Sequence, residues 1–460
     1  MSVPRARPEK ALMRSPHSSL ARWLPLLGLW LGCTTVTDDG RTWNPSERLD
    51  DEDRVSALFG VALDDGGTAL VVWSAKDDVL SRHQPHEGGV GANELIDNGL
   101  FAFWPDVAAS PNGDAVAVWL QETFFENTDY SIWSNRYTPR VGWETAFRID
   151  SGDTRAVFTP HVAIDPDGNA IAVWRQPDGT RESIWANRST PDGGWGDAEV
   201  IEFDNQGHAA DPRVAIDAAG NAIVVWQQSN DVRTSIFSNR YTPGSDWGIP
   251  RRISNEDGDA RLADVAMGTD GDAIAVWQQT DDGRIDIWAN GFTPSAGWGS
   301  PERIENNNEG NATEVRVGAD ADGHAIAVWR QFDGKTAGIW SNRHVPGTGW
   351  GSPERIEADG NGDALRPRVA VSAGGPAVAV WVQTDGFSYD AWSNAYTPTP
   401  GSGWGIPERI DPSGQGLGQP LRVEVAVDTE GNAVAAWLRR DLGIYFGPPQ
   451  PSQLWMARFE

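Results

Sequence analysis

The chain has 460 residues, one Cys, 24 Trp and a formal net charge of −28 at pH 7. A single cysteine excludes a disulfide framework and a cysteine-based zinc site. The acidity argues against nucleic acid as a partner and against charge-driven binding to anionic lipid. An apolar content of 39% is sufficient for a packed core.

The first 32 residues differ in composition from the rest. They carry five basic residues and one acidic residue, and they end in an apolar run over residues 23–32. A run of this length suits the core of a signal peptide and is too short to span a bilayer. We therefore predict a signal peptide over residues 1–32.

The only cysteine, Cys33, directly follows Gly32 at the end of this run. This arrangement resembles the lipobox of bacterial lipoproteins. The resemblance implies an exported lipoprotein of the outer membrane or periplasm, with acylated Cys33 as its only membrane contact and residues 33–40 as a short tether. An ordinary secretory signal cleaved nearby is the alternative. Cleavage before Cys33 leaves a mature net charge of −28 minus 4, or −32.

From residue 41 onward the tryptophans recur in three columns, which indicates one repeated unit. Together with Trp43 the columns hold 21 of the 24 Trp. Repeats of this period are typical of propellers and solenoids. The first column, in which Val or Ala precedes the Trp, contains Trp73, Trp119, Trp174, Trp226, Trp277, Trp329, Trp381 and Trp437.

Within one unit the local pattern predicts four short strands. In the unit at residues 160–201, candidate strands lie at 161–165, 170–176, 183–188 and 195–201. They are separated by turn sequences such as Asp-Pro-Asp-Gly-Asn. No 3.6-residue apolar period is present, which excludes a helical solenoid. Four-stranded units are typical of propeller blades.

The two ends of the chain predict that the ring closes. The last unit stops after its third strand, and residues 43–49 align without gaps with residues 298–304, a fourth strand. An N-terminal strand that completes the last blade removes the open sheet edge. We therefore predict an all-β fold, with a single eight-bladed β-propeller of four-stranded blades over residues 41–460.

The repeat pattern VAxDxxGNAxAVWxQ, IWxNRYTP and GWGxPERI resembles exported bacterial β-propeller repeat proteins. The resemblance implies the fold and says little about chemistry, since propellers host many unrelated functions. The Asp-Gly-Asn turns lack the ligand spacing of calcium loops, and His83 and His86 lack a third ligand. We therefore predict hairpin turns, no metal and no cofactor.

Two sets of side chains are candidates for ligand contact. The Asn-Arg pairs after the second Trp column resemble the sugar-binding residues of fucose-specific propeller lectins, with packing between blades as the alternative. A ring of amides on one face, together with two adjacent aromatic residues on a loop, is the predicted ligand-binding set. This set contains Gln121, Gln176, Gln228, Gln279, Gln331, Gln383, Phe124 and Phe125.

No nucleophile motif such as Gly-x-Ser-x-Gly occurs, and catalysis on a repeat scaffold requires residues that break its symmetry. The sequence therefore predicts no catalytic residues and no enzyme. The leading hypothesis is a monomeric cell-envelope scaffold that binds a protein or polysaccharide partner. A multivalent lectin and a glycosidase-like enzyme are the alternatives.

Overall fold

The computed structural model describes most of the chain beyond residue 39. The described residues are 40–50, 55–86, 91–99, 101–124, 127–152, 157–202, 207–230, 232–306, 310–357, 362–384, 386, 388–398, 403–411, 418–441 and 452–460. The predicted signal peptide and Cys33 lie outside them. No helix among the described residues is long and apolar enough to cross a membrane.

The described strands form eight antiparallel blades arranged in a ring, so the predicted all-β, eight-bladed propeller is confirmed. The N-terminal strand is β1 (Glu47–Arg48); blade 1 contains β2 (Val55–Leu63), β3 (Ala69–Ala75), β4 (Asp78–Gln84) and β5 (Asn93–Leu95); blade 2 contains β6 (Ala102–Ala109), β7 (Ala115–Phe124), β8 (Asn127–Thr138), β9 (Gly142–Trp143) and β10 (Phe147–Arg148). Blade 3 contains β11 (Phe158–Ile164), β12 (Ala170–Pro177), β13 (Glu182–Thr190), β14 (Gly194–Trp195) and β15 (Glu199–Val200); blade 4 contains β16 (Ala209–Ile216), β17 (Ala222–Ser229), β18 (Thr234–Thr242), β19 (Asp246–Trp247) and β20 (Arg251–Arg252); blade 5 contains β21 (Ala260–Met267), β22 (Ala273–Asp281), β23 (Arg284–Thr293), β24 (Gly297–Trp298) and β25 (Glu302–Arg303). Blade 6 contains β26 (Ala312–Ala319), β27 (Ala325–Phe332), β28 (Ala337–Val345), β29 (Gly349–Trp350) and β30 (Glu354–Arg355); blade 7 contains β31 (Ala364–Val371), β32 (Ala377–Thr384), β33 (Tyr389–Tyr396) and β34 (Glu408–Arg409); blade 8 contains β35 (Gly418–Val427), β36 (Ala433–Asp441) and β37 (Ser452–Phe459).

The core consists of layers between neighbouring blades. The second strand of each blade alternates small and large apolar residues, and its Trp is fully buried in all eight blades. Trp226 of blade 4, for example, packs against Ile171, Val173 and Ile184 of blade 3. The Trp of the first column is therefore the main filler between blades, which explains its recurrence in every repeat.

The polar residues of the repeat connect and terminate strands. The Nδ2 group of Asn187 donates to the carbonyl of Ile149 in the preceding blade at 2.9 Å, and Asn239 donates to Ile201 in the same way at 2.8 Å. Asp165 Oδ1 accepts the backbone N–H of Asn169 at 2.8 Å and closes the turn between β11 and β12. The Asp-Gly-Asn sequences therefore form hairpin turns, as predicted.

The N-terminal strand closes the ring as the sequence predicted. β1 pairs antiparallel with β37, with Glu47 opposite Met456 and Arg48 opposite Trp455. The Leu49 N–H donates to the Leu454 carbonyl at 2.8 Å. Blade 8 therefore takes three strands from the C-terminal end of the chain and its fourth from residues 47–48.

Candidate functional site

The six predicted glutamines lie inside the blades and not on an open face. Each is at most 5% exposed, and each accepts a hydrogen bond of 2.7–3.0 Å from the indole Nε1 of the Trp two residues before it. Residues two apart in a strand share a face, and a buried indole N–H requires an acceptor. This placement gives the glutamines a structural role, and ligand contact by them stays a prediction. Phe125 and the side chain of Phe124 lie outside the described residues.

Seven of the 65 acidic residues belong to another repeated structural position. The residue after the fourth-strand Ile or Leu is acidic in seven blades and Ser254 in blade 4. Its side chain typically accepts a backbone N–H of the third strand, as Glu357 does from Ile339 at 3.1 Å. The acidic members are Asp50, Asp97, Asp150, Glu202, Glu305, Glu357 and Asp411.

The inner strand of every blade contributes one residue to a central channel. These residues occupy the position directly before the repeated Val-Ala or Val-Gly, and all eight line one cavity of about 320 Å³. The surrounding residues repeat from blade to blade, whereas this position differs. In chain order the ring is Gly60, Asp106, His161, Arg213, Asp264, Arg316, Arg368 and Glu424.

A second ring lies two residues earlier, at a β-bulge of the inner strands. In blades 2 to 7 this residue has a positive φ of 52–60°, a backbone conformation that is unfavourable for residues other than glycine. Most members line a cavity of about 520 Å³ in the same channel. The ring consists of Leu58, Trp104, Thr159, Asp211, Leu262, Glu314, Arg366 and Arg422.

The larger cavity is cationic although the protein is acidic. Its lining includes five arginines and two carboxylates, a formal balance of +3. Glu424 pairs with Arg368 at 2.9 Å and with Arg422 at 2.7 Å. Despite burial, which raises the pKa of this carboxyl, the two guanidinium groups lower it to about 2.

Arg213 and Arg316 differ from that paired group. Within the described part of the chain, neither guanidinium has a carboxylate oxygen within 4.0 Å. Each donates to the carbonyl of its preceding residue instead, at 3.2 Å for Arg213 and 2.7 Å for Arg316. Burial, together with the positive charge of Arg368, lowers the pKa of Arg316 to about 9. The channel therefore holds guanidinium groups that an anion would stabilise.

Blades 2 and 3 contribute an aromatic ring and an imidazole to the channel. His161 Nδ1 accepts the Val214 N–H at 3.3 Å, and its Nε2 lies 3.8 Å from Asp106 Oδ2. Burial lowers the pKa of His161, which keeps the imidazole neutral at pH 7. Trp104 is 39% exposed and packs edge-on against Phe103.

The sequence predictions do not include the channel, because its residues are those that differ between repeats rather than those that recur. A detectable signal was present, since the residue before Val-Ala varies among Gly, Asp, His, Arg and Glu inside an otherwise regular motif. His83 stacks on Tyr137 at 3.8 Å and His86 contacts Glu460 at 2.9 Å, so the two histidines are separately engaged. The described residues hold no cluster of three potential metal ligands.

The chain is similar to several solved structures at low sequence identity. No family model and no curated protein matches the chain. Among solved structures, an ulvan lyase is 12% identical with a TM-score of 0.48, covering 75% of this chain and 90% of the lyase. An α-L-arabinanase of Penicillium chrysogenum is 14% identical with a TM-score of 0.39, covering 61% of this chain and 88% of the arabinanase. A puromycin hydrolase is 14% identical with a TM-score of 0.46, covering 87% of this chain and 60% of the hydrolase.

These matches correct one prediction from the sequence. We predicted that the protein is not an enzyme, but the matched lyase, arabinanase and hydrolase are enzymes. The lack of a nucleophile motif therefore gives no ground for excluding catalysis, and that prediction is wrong. The substrates of these enzymes are not carried over to this chain.

Proposed function

We propose that the central channel binds an acidic saccharide. The observation that carries the proposal is the ring of channel residues, a position at which the charge differs from blade to blade. A site with one unique arrangement of groups is what recognition of a single ligand requires, whereas a lectin with eight equal sites would repeat its residues.

The arginine side of the channel supports an anionic ligand. Arg213 and Arg316 have no carboxylate within 4.0 Å in the described structure, and the pKa of Arg316 is lowered to about 9. Guanidinium groups bind carboxylates and sulfates through paired N–H donors. Asp264 and Glu424 act on Arg316 through longer-range charge interactions, and an anion at this position would add direct paired hydrogen bonds to its guanidinium.

The apolar surface in the channel supports a sugar ring as the carrier of that anion. Trp104 and Leu262, 39% and 48% exposed, offer apolar surface on the same channel. Aromatic rings pack well against the apolar face of a sugar. His161 and Asp106 add a neutral imidazole and a carboxylate beside the ligand, which is a pair able to exchange a proton with it.

Calorimetric titration with a glucuronate-containing oligosaccharide and a neutral oligosaccharide of equal length tests the proposal. We expect binding of the acidic compound only, and the reaction mixture is also assayed for cleavage products. Arg316→Met should weaken binding by about 10- to 100-fold, since a hydrogen bond to a charged group contributes about 1.5–3 kcal/mol. Lys335→Met is the matched control because Lys335 is exposed outside the channel. Equal binding of both saccharides, or an unchanged Arg316→Met affinity, would refute the proposal.

A further inference from the structure

A third cavity, of about 350 Å³, lies where the outer strands of blade 4 meet blade 5. Blade 4 contributes Arg240, Ile249 and Arg251, and blade 5 contributes Phe292 and Trp298. None of its lining residues is Asp or Glu. In a protein of net charge −28, a cavity lined by two arginines and no carboxylate is a local reversal of charge.

Arg240 is held in this groove with unused hydrogen-bonding capacity. Its guanidinium carbon lies 5.5 Å from the centre of the Phe292 ring. Its Nε–H is buried and has no acceptor. Over the described ranges, no carboxylate oxygen lies within 4.0 Å of the guanidinium of Arg240 or Arg251. A buried N–H without an acceptor is costly, and a water, an ion or a ligand group would supply the missing acceptor.

The groove is also where blade 4 departs from the repeat. Arg251 lies opposite Ser238, and the residue in this register is Glu in six other blades and Phe147 in blade 2. Blade 4 is therefore the only blade with a cation at this outer position. The glutamates are Glu47, Glu94, Glu199, Glu302, Glu354 and Glu408.

The corresponding groove between blades 3 and 4 shows what the glutamate does. There Arg188 donates to the Tyr241 hydroxyl and lies 4.4 Å from the ring centre. The positive charge of Arg188 lowers the pKa of Glu199, partly offsetting the increase caused by burial. Arg188 thus has both a hydrogen-bond acceptor and a nearby carboxylate, whereas Arg240 faces a second arginine and a phenylalanine.

We propose that the groove between blades 4 and 5 is a second binding site, for a carboxylate or sulfate group carried on a sugar-sized ring. Arg240 and Arg251 bind the anionic group, and Trp298 with Phe292 supplies the apolar contact for the ring. The proposal does not rest on the channel, because it depends on different residues in a different part of the blade.

The test uses the whole protein and a variant that gives blade 4 the glutamate found at this position in six other blades. Indole N–H resonances are recorded by NMR, Trp298 is assigned with Trp298→Phe, and glucuronate, glucose 6-sulfate and glucose are titrated separately. We expect the two anionic sugars to shift the Trp298 signal saturably and glucose to leave it unchanged. Arg251→Glu, which introduces the residue found in six other blades, should fold normally and weaken the response at least tenfold.

Two controls separate this site from charge effects and from the channel. Lys335→Glu makes the same change in net charge at an exposed position of blade 6 and should retain the response. Arg316→Met disables the channel and should also retain it. The proposal is overturned if glucose shifts the Trp298 signal equally, if no anionic sugar shifts it, or if Arg251→Glu responds like the wild-type protein.

Discussion

The contribution of the N-terminal strand to stability can be measured with a matched pair of alanine substitutions, one in the closing strand and one in a fourth strand within a blade. Leu49 follows β1 and Ile304 follows β25, and the two occupy the same position in the repeat. Leu49 is 0% exposed and Ile304 is 3% exposed. Their backbone N–H groups donate to the neighbouring third strand at 2.8 Å and 3.0 Å. The closing strand therefore has the same local environment as a fourth strand within a blade.

Leu49→Ala and Ile304→Ala should destabilise the protein by similar amounts. Removing a buried Leu or Ile side chain to Ala costs about 2–5 kcal/mol. With an unfolding entropy of about 2.1 cal/mol/K per residue over roughly 420 residues, about 3 kcal/mol lowers Tm by about 3 °C. Urea unfolding and calorimetry measure both variants. The reasoning would be refuted if Leu49→Ala lost less than about 0.5 kcal/mol in free energy of unfolding while Ile304→Ala lost more than about 2 kcal/mol. That result would show that the pairing of β1 with β37 does not stabilise the protein.

Two further predictions address charge and export. Glu424 has a pKa of about 2, below its ordinary 4.5, so its contribution to stability is fully present above pH 4.5 and is lost as the pH falls towards 2. The pKa shift corresponds to about 3 kcal/mol. When the free energy of unfolding is measured from pH 5 to 2, Glu424→Gln should lose this part of its pH dependence. An unchanged pH dependence would contradict the assigned ion pairs of Glu424. For export, Cys33→Ala should abolish metabolic labelling with radioactive palmitate in a bacterial host. Equal labelling of the variant and the wild-type protein would exclude Cys33 as the acylated residue.

The sequence by itself determined the blade count, the strands and the closure. Each blade repeats the same local pattern, so turn sequences and buried Trp positions recur visibly along the chain. The alignment of residues 43–49 with 298–304 was enough to predict the pairing of β1 with β37, since a strand with the fourth-strand pattern requires a third strand beside it.

Only the tertiary structure decided which polar residues face a cavity. In six blades a glutamine two residues after the first-column Trp looks from its sequence like an exposed strand end, yet it accepts the indole N–H within the blade, as Gln331 does from Trp329 at 2.8 Å. Which inner-strand residues face the channel depends on how the eight blades are arranged around the ring. The charged ring that includes Arg316 is therefore formed by residues about 50 positions apart in the chain. Arg251 departs visibly from the repeat, but only packing between blades brings it to the same groove as Arg240 and Trp298. Local pattern therefore specifies the repeating scaffold, whereas both candidate sites arise from contacts between repeats, which a local pattern does not encode.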